Sequence, residues 1–297
     1  MLKKIAVSLI GVFMVGYLLF LTDLDDRIWQ LIRNLTTNQE TKDRAVWLHD
    51  YEVKVAEFII PEIASNASGI TYDGNRNTLW VVVNHPTYAI EIDMDFKFLR
   101  RIELVNFEDT ESITYVRDGL FLITDERDQT VNVAKIDTDT KQLDKALLPQ
   151  LSLGFHEQGN KGLEGIAVNS ATNVIYTVRE RDPRQLFQIT GLIEGNNRIG
   201  ICSPGPIKAD SLNMDDLSGL HYDSRSNNLL FLSDESKLLA EVDLNGKTLT
   251  RLELEAGFNG LKRSVPQPEG VTMDNKGRLY IVSEPNLLYR YEPKSDS

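Results

Sequence analysis

Five times along this chain a short Glu/Ser, Gly/Ser, aliphatic step opens an apolar run, and after a turn a second apolar run ends in an acid or amide. The copies are Ser68-Gly69-Ile70 to Asn84, Glu111-Ser112-Ile113 to Glu126, Glu164-Gly165-Ile166 to Glu180, Ser218-Gly219-Leu220 to Glu235, and Glu269-Gly270-Val271 to Glu284. Their starts lie 43, 53, 54 and 51 residues apart. A unit of that length built from short strands cannot bury both of its faces alone. Copies must therefore stack, and the closed form of such stacking is a β-propeller.

From Tyr51 onward the apolar positions recur with period two and the turns are rich in Asn, Asp and Gly. This pattern predicts strands at 68–73, 78–84, 88–94 and 96–105 for blade one and at 111–116, 120–126, 131–137 and 144–153 for blade two. Blade four reads as 218–223, 229–235, 239–244 and 247–254, with Asn245-Gly246 as the tight turn before its last strand. Blade three opens as clearly, at 164–169, 174–180 and 185–190, but Gly191 to Asp216 lacks the regular alternation of a fourth strand. Blade five has three strands, at 269–274, 278–284 and 287–292. The segment Tyr51 to Ile60 is strand-like and has no blade of its own; as the outer strand of the last blade it closes the ring and covers an exposed edge. The expected fold is all-β, a five-bladed propeller over residues 51–297. A sixth blade would have to arise within 191–216 or 22–66, and neither stretch carries the repeat. Tyr72, Tyr115, Trp80, Phe121, Phe231 and Tyr280 fall at repeated strand positions, which marks them as core between blades rather than a stacking surface for a ligand.

The topology says where the repeated acids go. The first two strands of a blade form an antiparallel hairpin, so the start of one and the end of the next share one mouth of the ring. Glu111, Glu164 and Glu269 begin first strands; Glu126, Glu180, Glu235 and Glu284 end second strands. Asn84 holds the matching place in blade one, and Asp125, Asp215, Asp216 and Asp234 are neighbours in sequence. The glycines beside the first acids suit inner strands whose backbones approach closely. Seven carboxylates around a narrow mouth repel one another unless protonated, hydrogen-bonded or balanced by a cation. Oxygen-only donors favour a hard ion, and Ca²⁺, with its six to eight ligands and flexible geometry, suits such a mouth better than Mg²⁺. Zinc is disfavoured, since the four histidines are dispersed and Cys202 is the only cysteine. The competing reading makes each glutamate a staple that caps backbone N–H groups or pairs with Arg127, Arg179, Arg181 or Arg184.

Composition limits the partners. With 32 basic and 44 acidic residues the net charge is −12, and no basic cluster offsets it, so a nucleic-acid partner is excluded. A single cysteine leaves no disulfide framework. The first residues depart from the otherwise polar character: Lys3 and Lys4 precede an uncharged run from Ile5 to Leu21, long enough to span about 26 Å as a helix, near the thickness of a bilayer core. The lysines place the amino terminus in the cytoplasm. The run ends without a small-residue cleavage site, so residues 1–22 are expected to be an uncleaved single-pass inner-membrane anchor with the propeller in the periplasm. Residues 23–50 form a tether, with a short amphipathic helix from Asp26 to Leu35.

The phrases Glu164-Gly165-Ile166-Ala167, Leu279-Tyr280-Ile281-Val282-Ser283-Glu284 and Asp125-Glu126-Arg127-Asp128, with the apolar N-terminal run, resemble the SdiA-regulated family of bacterial envelope proteins, which is distantly similar to NHL-repeat propellers. The resemblance covers about residues 50 to 293. It implies a five-bladed propeller with a bound calcium ion. The chain departs from its own pattern at Ser68, Asn84 and Ser218.

Sharper motifs fail. Asp73 to Asn77 and Asp223 to Asn227 imitate the start of an EF-hand loop, but glycine is missing at the sixth position, and their place between paired strands makes them Asx-type turns. No Gly-x-Ser-x-Gly elbow, Walker loop or dinucleotide fingerprint is present. Two function classes follow. One is a calcium-binding envelope propeller acting as a binding module for a ligand or an envelope protein. The other is a calcium-dependent hydrolase of an ester, lactone or phosphate, for which His85 and His156 are the candidate bases.

Overall fold

The computed structural model describes residues 32, 35–154, 162–195 and 198–294. The chain divides into one unit up to Arg44 and another from Ala45 onward. In the first, a five-residue helix α1 (Gln39–Asp43) is capped by the Asn38 side chain, which accepts from the Thr41 N–H at 2.9 Å. Among the described residues no helix is long and apolar enough to cross a membrane. The expected anchor at Ile5 to Leu21 and most of the expected helix from Asp26 to Leu35 lie outside the described residues.

Residues from Tyr51 onward form 21 strands among those described. Their five sheets are the blades of a propeller. Blade one contains β2 (Ala67–Asp73), β3 (Thr78–Val83), β4 (Tyr88–Asp93), β5 (Phe98–Val105) and β9 (Gln142–Asp144). Blade two contains β6 (Thr110–Arg117), β7 (Leu120–Asp125), β8 (Thr130–Lys135) and β10 (Gln150–Ser152). Blade three is β11 (Leu163–Asn169), β12 (Val174–Arg179), β13 (Gln185–Thr190) and the short β14 (Gly200–Cys202); blade four is β15 (Gly219–Asp223), β16 (Asn228–Ser233), β17 (Leu238–Val242) and β18 (Thr248–Glu253). Blade five joins β19 (Pro268–Met273), β20 (Leu279–Ser283) and β21 (Leu287–Pro293) to β1 (Tyr51–Ile59), which runs antiparallel to β21 from Tyr51 opposite Pro293 to Ile59 opposite Leu287.

One expected strand divides. The stretch 144–153 is not a single outer strand of blade two: Gln142 to Asp144 pairs in parallel with β5 of blade one, and only Gln150 to Ser152 reaches β8. The cause lies between them. Asp144 caps a 3-10 turn at Lys145–Leu147, and the Lys145 ammonium is drawn inward to Asp125 at 2.8 Å and Asp128 at 2.6 Å. A buried lysine held by two carboxylates cannot stay in an outer strand facing solvent.

The core is a ring of five seams. Each hydrophobic cluster joins one blade to the next: Trp80, Val82 and Ala89 with Phe121 and Ile123 between blades one and two, and Leu230 and Leu239 with Val271 and Ile281 between four and five. The Trp80 and Phe121 rings meet edge to face at 5.5 Å. Since each large apolar side chain contributes about 1.5–3 kcal/mol on full burial, the seams rather than the individual sheets hold the ring together. Buried acids fasten the periphery. Glu91 accepts from Arg76 Nε at 2.7 Å, Thr78 Oγ1 at 2.7 Å and Arg100 Nε at 2.6 Å. Glu241 in β17 accepts from the backbone N–H groups of Val46 at 2.7 Å and Trp47 at 3.0 Å, and the Leu48 N–H donates to Thr250 Oγ1 at 3.0 Å, so the segment leading into β1 is clamped to blade four.

Candidate functional site

The five inner strands β2, β6, β11, β15 and β19 lie side by side around the axis, and their first residues make the narrowest part of the ring. A Cβ placed on Gly165 would stand 2.6 Å from the Leu220 nitrogen, and one on Gly270 would stand 2.8 Å from the Ile70 nitrogen. No side chain fits there, which explains the glycine in the repeated step. Blade two has Ser112 instead, and its Oγ accepts from the Ile166 N–H at 3.3 Å, using the hydroxyl to join two strands.

This close approach carries Glu111, Glu164, Ser218 and Glu269, which precede the crowded step in four blades, into one cavity of about 180 Å³. Glu111, Glu164, Glu180, Glu269, Glu284 and Asn84 line it. Asp216, Ser218, Asp234 and Gln267 complete the described wall, and Arg181 is the one basic side chain among the described residues that line it. The second-strand acids Glu126, Glu180, Glu235 and Glu284 sit just past the ends of their strands, at the start of the following turn.

The acids separate by the donors that reach them. Glu180 and Glu235 share Arg181, whose Nη2 donates to Glu180 Oε1 and whose Nη1 donates to Glu235 Oε1 at 2.6 Å. Glu235 is exposed on the rim. Glu126 accepts from the Gly162 N–H at 2.7 Å. These three match the staple reading. Arg127 pairs instead with Asp109 at 3.2 Å, and Arg184 donates to the Asp215 carbonyl at 2.8 Å. Glu111, Glu164, Glu269 and Glu284 have no basic partner among the described residues. Asn84 Nδ2 donates to Glu111 Oε1 at 3.3 Å and Gln267 Nε2 to Glu269 Oε1 at 2.9 Å, both neutral amides.

Their protonation follows from that shortage. Burial pushes Glu111 up to about 8, aided by the nearby Asp109 and Glu126 carboxylates. Burial likewise takes Glu269 to about 9 against the Gln267 hydrogen bond, and Glu111, Asp234 and Glu284 add to the rise. Glu164 is held well above the carboxylate range by burial and by four surrounding glutamates. Glu284 rises through burial and Asp234. Without a cation the mouth keeps protons that ordinary carboxylates lose.

Two features were not visible in the repeats. Asp109, outside the repeated step, brings a carboxylate oxygen within 4.8 Å of one from Glu111 and one from Glu126. Asn84 Oδ1, which replaces an acid in blade one, is buried without a hydrogen-bond partner. An amide oxygen left open beside unpaired carboxylates suits a hard cation, so the donor set present here fits calcium. Asp109, Glu111 and Glu126 are the carboxylates that lie close enough to share an ion, and Glu164, Glu269 and Asn84 line the cavity with Glu111. His85 is exposed and does not line the cavity, and no histidine among the described residues does. His156 lies outside the described residues.

The chain belongs to the SdiA-regulated family, whose model matches residues 43–292. Among solved structures, that of regucalcin from Agrobacterium tumefaciens, described as a calcium-binding protein, is 12% identical with a TM-score of 0.51, covering 79% of this chain and 92% of that one. A chain of the nidogen/laminin complex is 17% identical with a TM-score of 0.49, covering 74% of this chain and 73% of that one. A luciferin-regenerating enzyme is 14% identical with a TM-score of 0.47 over 83% of this chain and 80% of its own. At 12% identity the likeness to regucalcin bears on the propeller fold alone.

Proposed function

We propose that this protein is a calcium-binding propeller of the bacterial envelope whose acidic mouth holds the ion and serves as a binding module for a ligand or an envelope protein. The observation that carries this reading is the cavity lining shared by Glu111, Glu164, Glu269 and Asn84: all-oxygen donors, gathered by strand crowding, with no basic partner for the three glutamates among the described residues. The description of regucalcin as calcium-binding agrees with it, at the level of a shared fold. Placement at the inner membrane, with the ring in the periplasm, rests on the Ile5 to Leu21 run and the two lysines before it. A reporter fused after Ser297 should be active only if it functions in the periplasm. The hydrolase reading draws no support from the cavity, whose described lining supplies no histidine.

Calcium at about one hundred times its dissociation constant should stabilise the fold by about 2.7 kcal/mol, as for any ligand that binds only the native state. Magnesium should stabilise less. The pair Glu164→Gln and Glu269→Gln should remove the calcium response while leaving the fold intact by circular dichroism. A full calcium shift in that double variant, or none in the wild type after chelation and refilling, would show that the mouth is a set of structural staples.

A further inference from the structure

The far ends of the same inner strands enclose a second cavity, of about 370 Å³, to which all five blades contribute. Two residues beyond the crowded step the strands carry Thr71, Thr114, Ala167, His221 and Thr272. Four of these are small, and His221 is the large side chain of the set. It is enclosed by protein yet keeps accessible surface, as a ring projecting into a hollow does. Burial depresses its imidazole to about 4, with Asp223 opposing and Arg225 adding to the fall, so the ring is neutral at physiological pH. A neutral imidazole presents one donor and one acceptor. No hydrogen bond from another described residue uses either.

The surroundings narrow what could meet it. Thr272 Oγ1 accepts from the Tyr72 N–H at 3.2 Å and Thr71 Oγ1 from the Tyr115 N–H at 2.9 Å, so each hydroxyl keeps its own proton to donate. The charges are already matched: Asp223 accepts from Arg225 Nε at 3.0 Å and from the Ser226 N–H at 2.9 Å, and Asp274 accepts from Arg278 Nε at 2.5 Å. Tyr72, Tyr222 and Met273 supply apolar wall. The volume corresponds to about twelve water molecules at roughly 30 Å³ each.

We propose that this far cavity is a second binding site, separate from the acidic mouth, that takes an uncharged, hydroxyl-bearing ring compound of hexose size with His221 as its central polar contact. A hydroxyl both donates and accepts, which matches the neutral imidazole and the threonines, while the face of a ring packs on tyrosine. A charged ligand finds no spare counter-charge, and a metal finds a single imidazole. A wholly apolar ligand would leave the imidazole and the hydroxyls dry and unpaired.

The test is an NMR titration of the full-length chain, labelled in its histidine rings, with D-glucose, D-galactose and myo-inositol, and with glucose 6-phosphate and glucuronate as charged counterparts. At least one neutral compound should shift the His221 ring resonance saturably, with the charged counterparts and the variant His221→Ala each binding at least about ten-fold more weakly, as expected when a buried polar partner is lost or mismatched. His221→Gln, which keeps a donor and an acceptor, should retain most of the affinity, and the calcium response should be unchanged in both variants. If His221→Ala does not fold, Thr114→Val takes its place and should weaken binding. The proposal is overturned if no neutral compound binds, if the charged counterparts bind more tightly, or if removal of the imidazole leaves affinity unaltered.

Discussion

The inner strands bring acids to both ends of the ring, Glu111, Glu164 and Glu269 at one and Asp73, Asp223 and Asp274 at the other, and the two ends treat them in opposite ways. At the far end Asp73 accepts from the Asn75 and Arg76 N–H groups at 2.9 and 3.1 Å, and Asp274 accepts from the Lys276 and Arg278 N–H groups, both at 2.9 Å, as well as from the Arg278 guanidinium. At the near end Glu111, Glu164 and Glu269 meet other carboxylates and two neutral amides. The difference lies in the local chain. A turn supplies free N–H groups to the acid that opens it, whereas a glutamate at the crowded start of an inner strand faces the axis, where the neighbouring N–H groups are already used. Acids in number do not mark a cation site; acids without donors do.

The comparison can be broken most forcefully at the glycines. Gly165→Val at the near end puts side-chain atoms against the Leu220 nitrogen and should cost about 3 kcal/mol or more in urea unfolding, with loss of the calcium response because the acids are spread apart. Gly74→Ala at the far end meets only the Tyr72 ring at 3.7 Å and should change stability by no more than about 0.5 kcal/mol. Similar losses at both positions would mean that the near end is no more tightly built than the far one.

A smaller effect separates the ends by pH. In the folded, calcium-free chain Glu111 and Glu269 keep their protons to about 8 and 9, against an ordinary value of 4.5. The folded state therefore binds more protons than the unfolded state across that window, and stability should fall, by at least about 2 kcal/mol in total, as pH rises from 5 to 9. Saturating calcium should abolish the slope, since the ion takes the place of the protons. A calcium-free stability that is level or rising over this range would show that the mouth is already neutralised by the protein.

Replacing acid by amide sharpens the contrast further. At pH 8 without calcium, Glu164→Gln should stabilise, by about 1 kcal/mol, because the glutamate is ionised in the unfolded chain and must take up a proton to enter the mouth, whereas the amide is neutral in both states. Asp274→Asn should destabilise, by about 1.5 kcal/mol, because it leaves Arg278 without its carboxylate and weakens the turn. Equal signs in a denaturant titration would erase the distinction between the two ends.

Much of this was legible in the sequence. The recurrence of one phrase gave the number of blades, and hairpin topology gave the shared mouth. The glycine beside Glu164 and Glu269 pointed to backbone crowding, which Gly165 and Gly270 bear out. Other parts were hidden for physical reasons. A period-two stretch pairs equally well with either neighbouring sheet, so nothing in Gln142 to Asp144 says that it joins blade one. Asp109 lies in a connection with no repeat to mark it, and reaches the mouth only because its N-terminal flank folds back beside Glu126. The division of the acids by Arg181 depends on where one long side chain turns, which no spacing records.

The clamp at Glu241 has a mechanical consequence. The chain enters the ring through Val46 to Leu48, held to blade four by hydrogen bonds to Glu241 and Thr250, before it becomes β1 in blade five. A pull from the amino-terminal side therefore loads a buried carboxylate in the neighbouring blade before it reaches the strand that completes the circle. The weakest point of a closed ring is its last joint, and here that joint is strain-relieved, as a cable is gripped ahead of its plug.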